Sequence, residues 1–221
     1  AEPVVREDLA GRPCFGGLDL STTTDVGAFV LVFPPTETDA RWRVVPTFWL
    51  PDEDLKKRGD RDRVPYQDWA RDGFLRLTEG NVTDYDVIRA DIQAIVEELR
   101  CDLREVAYDR WNATQLVTQL SSDGLTMVPF GQGFQSMSAP TKELAKLLLS
   151  GDLAHGDHPV LRWMAANVSV KEDPAGNLKP DKATSRQRID GIVALIMALG
   201  RAMVQPDAAS IYETEDLCVI E

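Results

Sequence analysis

Three aspartates stand at positions where an aspartate is costly. Asp19 comes at the end of the apolar, glycine-rich run from Cys14 to Leu20. Asp109 closes Val106-Ala107-Tyr108, and Asp190 lies between Ile189 and Gly191 at the head of the most apolar stretch of the chain. Each borders a segment patterned like core, where an unpaired carboxylate is expensive. A shared explanation is a divalent cation. Mg²⁺ and Mn²⁺ take oxygen ligands, and clustered carboxylates repel one another until a cation neutralises them. Two such ions roughly 4 Å apart can activate a water and stabilise the leaving oxygen of a phosphodiester. Each acid also has a local alternative: Asp109 with Arg110, Asp190 with Arg186 or Arg188, and Asp19 with the hydroxyls of Ser21 to Thr24.

Around this triad lie secondary candidates. Asp25, Asp84 and Asp181 are possible auxiliary neighbours of a metal, although Asp84 has the position of a helix cap and Asp25 that of a residue closing a turn. Lys171, Lys179, Lys182, Arg186 and Arg188 outnumber Glu172, Asp173 and Asp181 by two charges. That stretch could hold phosphates beside Asp190, chiefly through Lys179, Lys182, Arg186 and Arg188. The loop from Gly131 to Ser138 either lines a groove or simply connects. His155 and His158 lack third and fourth ligands nearby and read as histidines of a surface turn.

The elements that must position these residues follow from periodicity. Cys14–Leu20, Gly27–Phe33 and Arg43–Leu50 read as three strands of an antiparallel meander. The charged excursion after Pro51, with seven acids and six bases between Asp52 and Asp72, reads as one or two surface helices. Asp86–Leu99 is an amphipathic helix with Ile88, Ile92, Ile95 and Leu99 on one face, capped by Thr83 or Asp84. Strands at Glu105–Asp109 and Leu125–Phe130 then alternate with helices at Ala113–Leu120 and Thr141–Ser150, the latter opened by Pro140 and closed by Gly151. A short strand is expected at Asn167–Lys171 and a buried helix at Arg188–Met203. This order predicts an α/β fold, a mixed sheet of antiparallel meander plus parallel strands, with helices on both faces. The expected division is a linker remnant over 1–12, one domain over 13–204, and an acidic, flexible tail over 205–221.

The chain has 221 residues, 43% hydrophobic and 27% charged, with a formal charge of −12. That composition suits a globular protein and excludes a disordered one. No apolar run approaches the ~20 residues that span a bilayer, and no signal peptide opens the chain. Three widely spaced cysteines (Cys14, Cys101, Cys218) argue against a disulfide framework and for a reducing compartment. The acidity argues at first against a nucleic-acid partner. It is concentrated, however, in Glu79–Glu105, with eight acids against three bases, and in five acids after Gln205. Such distant charge is largely screened at physiological salt.

The residues resemble a known family. Gly16-Gly17-Leu18-Asp19-Leu20-Ser21 with Thr23-Thr24-Asp25 is similar to the opening of the nuclease domain of tailed-phage terminase large subunits. So are Phe48-Trp49-Leu50-Pro51, Val64-Pro65-Tyr66, Gly80-Asn81-Val82 with Asp84-Tyr85, and Tyr108-Asp109-Arg110-Trp111. Met127 to Gly133, Ser138 to Leu144 and Arg188-Ile189-Asp190-Gly191 continue the similarity, in order, to about residue 203. The resemblance implies a ribonuclease H-like fold and a two-metal endonuclease using Mg²⁺ or Mn²⁺, with the acidic triad on Asp19, Asp109 and Asp190. Its implied substrate is double-stranded, concatemeric DNA. Its implied partners are an N-terminal ATPase domain, a small terminase subunit and a portal, in the host cytoplasm during phage assembly. No G-x-x-x-x-G-K-[ST] loop is present, so ATPase activity is not expected of this chain. The domain alone is expected to be monomeric, without a membrane partner, and to bind DNA weakly. Two rival readings remain: a junction resolvase or transposase-type nuclease of the same fold, and a non-catalytic acidic module docking onto a portal or small terminase.

Overall fold

A computed structural model describes residues 3–20, 26–110 and 114–204. Its centre is β1 (Pro13–Leu20), flanked on one side by β2 (Gly27–Phe33) and then β3 (Trp42–Pro51), both pairings antiparallel. Every residue of β2 is buried, which is why its sequence is unbroken apolar rather than alternating. On the other side of β1, β5 (Asp102–Asp109) runs parallel to it, and β6 (Met127–Phe130) runs parallel to β5. The short strands β4 (Arg76–Thr78) and β7 (Leu153–Ala154) pair with β3. The main strand order is β4-β3-β2-β1-β5-β6, the mixed sheet that the element order predicts.

Helices cover both faces. The amphipathic α3 (Tyr85–Leu99) presses Ile88, Ile92, Ile95 and Leu99 onto one face, joined by Leu116 and Leu120 of α4 (Thr114–Ser122). The opposite face carries α5 (Phe134–Ser150), α6 (Pro159–Asn167) and α7 (Asp190–Val204). Helix α7 is buried almost all round because it lies directly on β1 and β2. The close approach explains Gly17: a Cβ there would meet the Ala194 carbonyl oxygen at 1.9 Å. Arg201 Nε then donates to Glu105 Oε2 at 2.5 Å, tying α7 to β5. The charged excursion forms α1 (Leu55–Asp62) and α2 (Tyr66–Arg71). No helix among the described residues is long and apolar enough to cross a membrane.

Some boundaries differ from expectation. Helix α5 starts at Phe134, not near Thr141, so Pro140 lies inside it. Proline lacks the N–H that would bond back to the preceding turn; the helix carries that loss with Pro140 buried against α7 at Gly200. Helix α6, with Pro159 at its first turn, has no counterpart among the expected elements and takes up Asn167. The strand expected at Asn167–Lys171 instead runs as β8 (Val170–Glu172), in a hairpin with β9 (Leu178–Pro180). Within the stretch read as linker, Arg6–Leu9 forms a 3₁₀ turn with Leu9 buried and Arg6 paired to Glu98 at 2.8 Å. The tail 205–221, including Cys218, lies outside the described residues. Cys14 and Cys101 are free thiols.

Candidate metal centre

Asp19 and Asp190 reach one point from opposite sides of the sheet–helix interface. Asp19 is the penultimate residue of β1 and fully buried; Asp190 is the first residue of α7 and nearly so. The close seating of α7 on Gly17 brings the two together, and the positive end of the α7 dipole favours a carboxylate at Asp190. Between them sits the ammonium of Lys182. Lys182 Nζ donates to Asp19 Oδ2 at 2.7 Å and to Asp190 Oδ1 at 3.0 Å. Gln132, from the loop between β6 and α5, donates through Nε2 to the other Asp19 oxygen at 3.4 Å.

Asp109 ends β5 beside this pair. The parallel register matches Leu18 with Tyr108, so the next residues, Asp19 and Asp109, sit at the ends of neighbouring strands. Burial lifts the Asp19 carboxyl to about 6; the ammonium pulls against that rise, while the Asp190 and Asp109 charges add to it. For Lys182, burial works against the charge, but the two carboxylates outweigh it and hold the ammonium well above the ordinary lysine value. At neutral pH Lys182 is charged and Asp19 ionised, with the ammonium within hydrogen-bond reach of both acids. Among the described residues, no three acid, histidine or cysteine side chains are grouped tightly enough to enclose an ion; two of the three aspartates converge on an ammonium instead.

The donor set fits a hard divalent cation. Two buried carboxylate oxygens from different elements already accept from one positive centre, and together they carry one more charge than Lys182 neutralises.

The other candidates are placed as follows. Asp84 is an exposed helix cap: its Oδ1 accepts from Asp86 N at 2.9 Å and Val87 N at 3.3 Å, which accounts for it without a metal. Asp181 organises the turn after β9, accepting from Ala183 N at 3.1 Å. Asp25 lies outside the described residues. Arg188 turns inward, its Nη1 on Asp62 Oδ2 at 2.7 Å and 3.3 Å from the Tyr66 hydroxyl. Lys179 donates to the Gln132 carbonyl at 3.3 Å and lies 5.4 Å from the centroid of the Phe134 ring. Arg186 is exposed. His158 packs against Phe48 and Phe74, with ring centroids 5.3 and 5.2 Å away, and burial lowers it to about 4; burial lowers His155 as well. Two residues have partners that the sequence does not announce: Gln132, expected in a loop that lines a groove or simply connects, donates to Asp19, and Lys182, expected to meet phosphates, bridges the acids.

Known proteins resemble this chain in sequence and in fold. The family described as "Terminase large subunit, endonuclease domain" matches residues 2–205. The terminase large subunit of Enterobacteria phage HK97 is 42% identical over 193 residues, covering 86% of this chain and 38% of that protein. Protein YmfN of Escherichia coli K12 is 32% identical over 219 residues, covering 95% of this chain and 46% of that protein. The chain thus spans less than half the length of these curated relatives. The crystal structure of the HK97 large terminase superposes with a TM-score of 0.79 at 39% identity, over 91% of this chain and 44% of that one. The magnesium-bound large terminase nuclease of thermophilic phage G20c matches in fold, with a TM-score of 0.54 at 15% identity, over 86% of this chain and 82% of that one.

Proposed function

The chain belongs to the endonuclease-domain family of terminase large subunits, and from that premise we propose that it is a metal-dependent endodeoxyribonuclease cutting double-stranded, concatemeric DNA during genome packaging. The observation that carries the reading is the convergence of Asp19 and Asp190 on one cationic centre, with Asp109 at the adjoining strand end. In this reading Asp19, Asp109 and Asp190 hold two Mg²⁺ or Mn²⁺ ions. When bound, such ions supply the Lewis acidity that activates a water and stabilises the leaving oxygen of a phosphodiester.

The chain's own residues do the positioning. Asp19 and Asp190 are fixed by β1 and by the first turn of α7, both locked by core packing. Gln132 steadies the second oxygen of Asp19. Lys179, in β9, and Arg186, in the turn before α7, supply positive charge for DNA phosphates. The remainder of the longer protein, which in this reading includes an ATPase motor, would hold the DNA and engage the small terminase and portal in the host cytoplasm. A plasmid-nicking assay with Mn²⁺ tests the proposal. The parent chain should nick, and Asp19→Asn and Asp109→Asn should not; either variant cutting at the parental rate would show that the site is wrongly assigned.

A further inference from the structure

The structure assigns a second task to Lys182: we propose that its ammonium is a built-in substitute cation, which occupies the carboxylate pair while the chain is metal-free and is displaced when a divalent ion loads. The inference rests on the metal-site reading above and adds a step to it.

The ammonium and a divalent ion exclude each other. The ammonium takes Asp19 Oδ2 at 2.7 Å and Asp190 Oδ1 at 3.0 Å. An ion bridging the same two oxygens would need them at roughly 2.1 Å, in the space that the ammonium fills. One cation or the other can be there. The metal-free pair needs some such occupant, because both carboxylates are buried and would otherwise face each other uncompensated.

The way Lys182 is mounted suits an occupant that leaves. It lies on a turn between β9 and α7 that is pinned independently of its side chain. Asp181 N donates to the Ser169 carbonyl at 2.9 Å, and the Asp181 carbonyl accepts from Ser185 Oγ at 2.7 Å and Ser185 N at 3.0 Å. The side chain is 41% exposed even though its two partners are buried. It can therefore swing outward without disturbing the core or the turn. The choice of lysine fits as well: a flexible, strongly hydrated point charge leaves a carboxylate more readily than a planar guanidinium fork. Once released, the ammonium stands at the mouth of the site in search of another anion, and a DNA phosphate is an anion of the right kind. Metal and DNA would then favour each other's binding through this one residue.

The test is calorimetric titration of the DNA-free chain with Mn²⁺, comparing the parent with Lys182→Met and Lys182→Gln. Removing a competitor should tighten binding in both variants by on the order of tenfold, within the usual range of coupling between sites. Metal-free Lys182→Met should also melt lower than the parent and be restored by Mn²⁺. Parental or weaker affinity in both variants overturns the inference while leaving the metal site standing; absence of Mn²⁺ binding in parent and variants alike overturns both. A measurement on the parent does not depend on how the variants fold. The Lys182 ammonium, shielded by two carboxylates, should give a slowly exchanging ¹H–¹⁵N signal that disappears as Mg²⁺ is added. Its persistence at saturating Mg²⁺ would overturn the inference.

Discussion

The short connection before α7 carries a cation to each of two buried acid clusters, and the two clusters are built in opposite senses. Asp62, at the end of α1, is served by both Arg61 at 2.7 Å and Arg188 at 2.7 Å, with the Tyr66 hydroxyl donating at 3.2 Å. Two cations attend one acid. At the other cluster, two acids share the single ammonium of Lys182. The Arg188 side chain is 16% exposed, against 41% for Lys182. The first cluster has positive charge to spare, with Arg188 enclosed and Arg61 on the surface; it fastens the α1–α2 excursion to the body of the domain. The second is short of positive charge and open to solvent. A buried acid is thus no sign of a site by itself; the sign is a deficit of cation that solvent can reach.

The sharpest way to break that distinction is to neutralise one acid of each kind. Asp190→Asn should weaken Mn²⁺ binding by at least about 100-fold, the upper range seen when support for a metal is removed, and should cost little stability. Asp62→Asn should do the reverse: parental Mn²⁺ affinity with a lowered melting temperature. Loss of metal binding in Asp62→Asn would erase the difference between the clusters.

Next in size is Arg188→Ala. It leaves Asp62 with Arg61 as its remaining cation, and breaking a buried pair of this kind should cost about 3 kcal/mol of unfolding free energy, the low end for such pairs, in a denaturant titration. The cost should be the same with and without Mn²⁺. Rescue by the ion would place Arg188 in the metal site after all.

The clusters should also respond oppositely to acid. For Asp62, burial opposes ionisation, but the Arg61 and Arg188 guanidinium groups outweigh it and hold the carboxyl below its ordinary value. Its contribution is present above the ordinary carboxylate range and is lost as the pH falls through the lowered folded value. Asp19 is raised to about 6, so between that value and the ordinary range the folded chain binds a proton that the unfolded chain does not. From this group alone, the metal-free chain should gain stability as the pH drops from 7 through 6 towards 4. Mn²⁺ affinity should fall over the same window, because the ion needs the ionised carboxylate. Melting curves of the parent and Asp19→Asn across that range check the sign: the variant should lack the gain.

The smallest effect concerns an acid belonging to neither cluster. Asp84→Ala removes a helix cap and should cost about 1 kcal/mol with unchanged Mn²⁺ affinity. A drop in affinity would restore Asp84 as a metal neighbour.

These contrasts mark what sequence could reveal. The strands β1, β2 and β3, the helix α3 and the burial of α7 follow from apolar period and run length, which are local properties. Asp19, Asp109 and Asp190 stood out because a carboxylate interrupts those same patterns. Pro140 carries a helix-start signal, so sequence alone begins α5 too late, and only packing reveals that a proline is accommodated within it. Lys182 and Arg188 were indistinguishable as basic residues of one loop. What separates them is the partner each meets: Asp62 lies 126 positions from Arg188, and Asp19 lies 163 from Lys182. No period or spacing encodes contacts at that range. Gln132 was hidden for the same reason, its contact with Asp19 spanning 113 positions.

The central claim is that the Asp19–Asp190 pair, beside Asp109, is a divalent-metal site that Lys182 fills in the ion's absence. Crystals of the chain soaked in Mn²⁺ and measured for anomalous scattering test it most directly. The account predicts manganese density within coordination distance of Asp19 and Asp190, with the Lys182 side chain turned away from both. An Mn²⁺-soaked crystal in which Lys182 still bridges the two carboxylates, and manganese is absent from them, would contradict it.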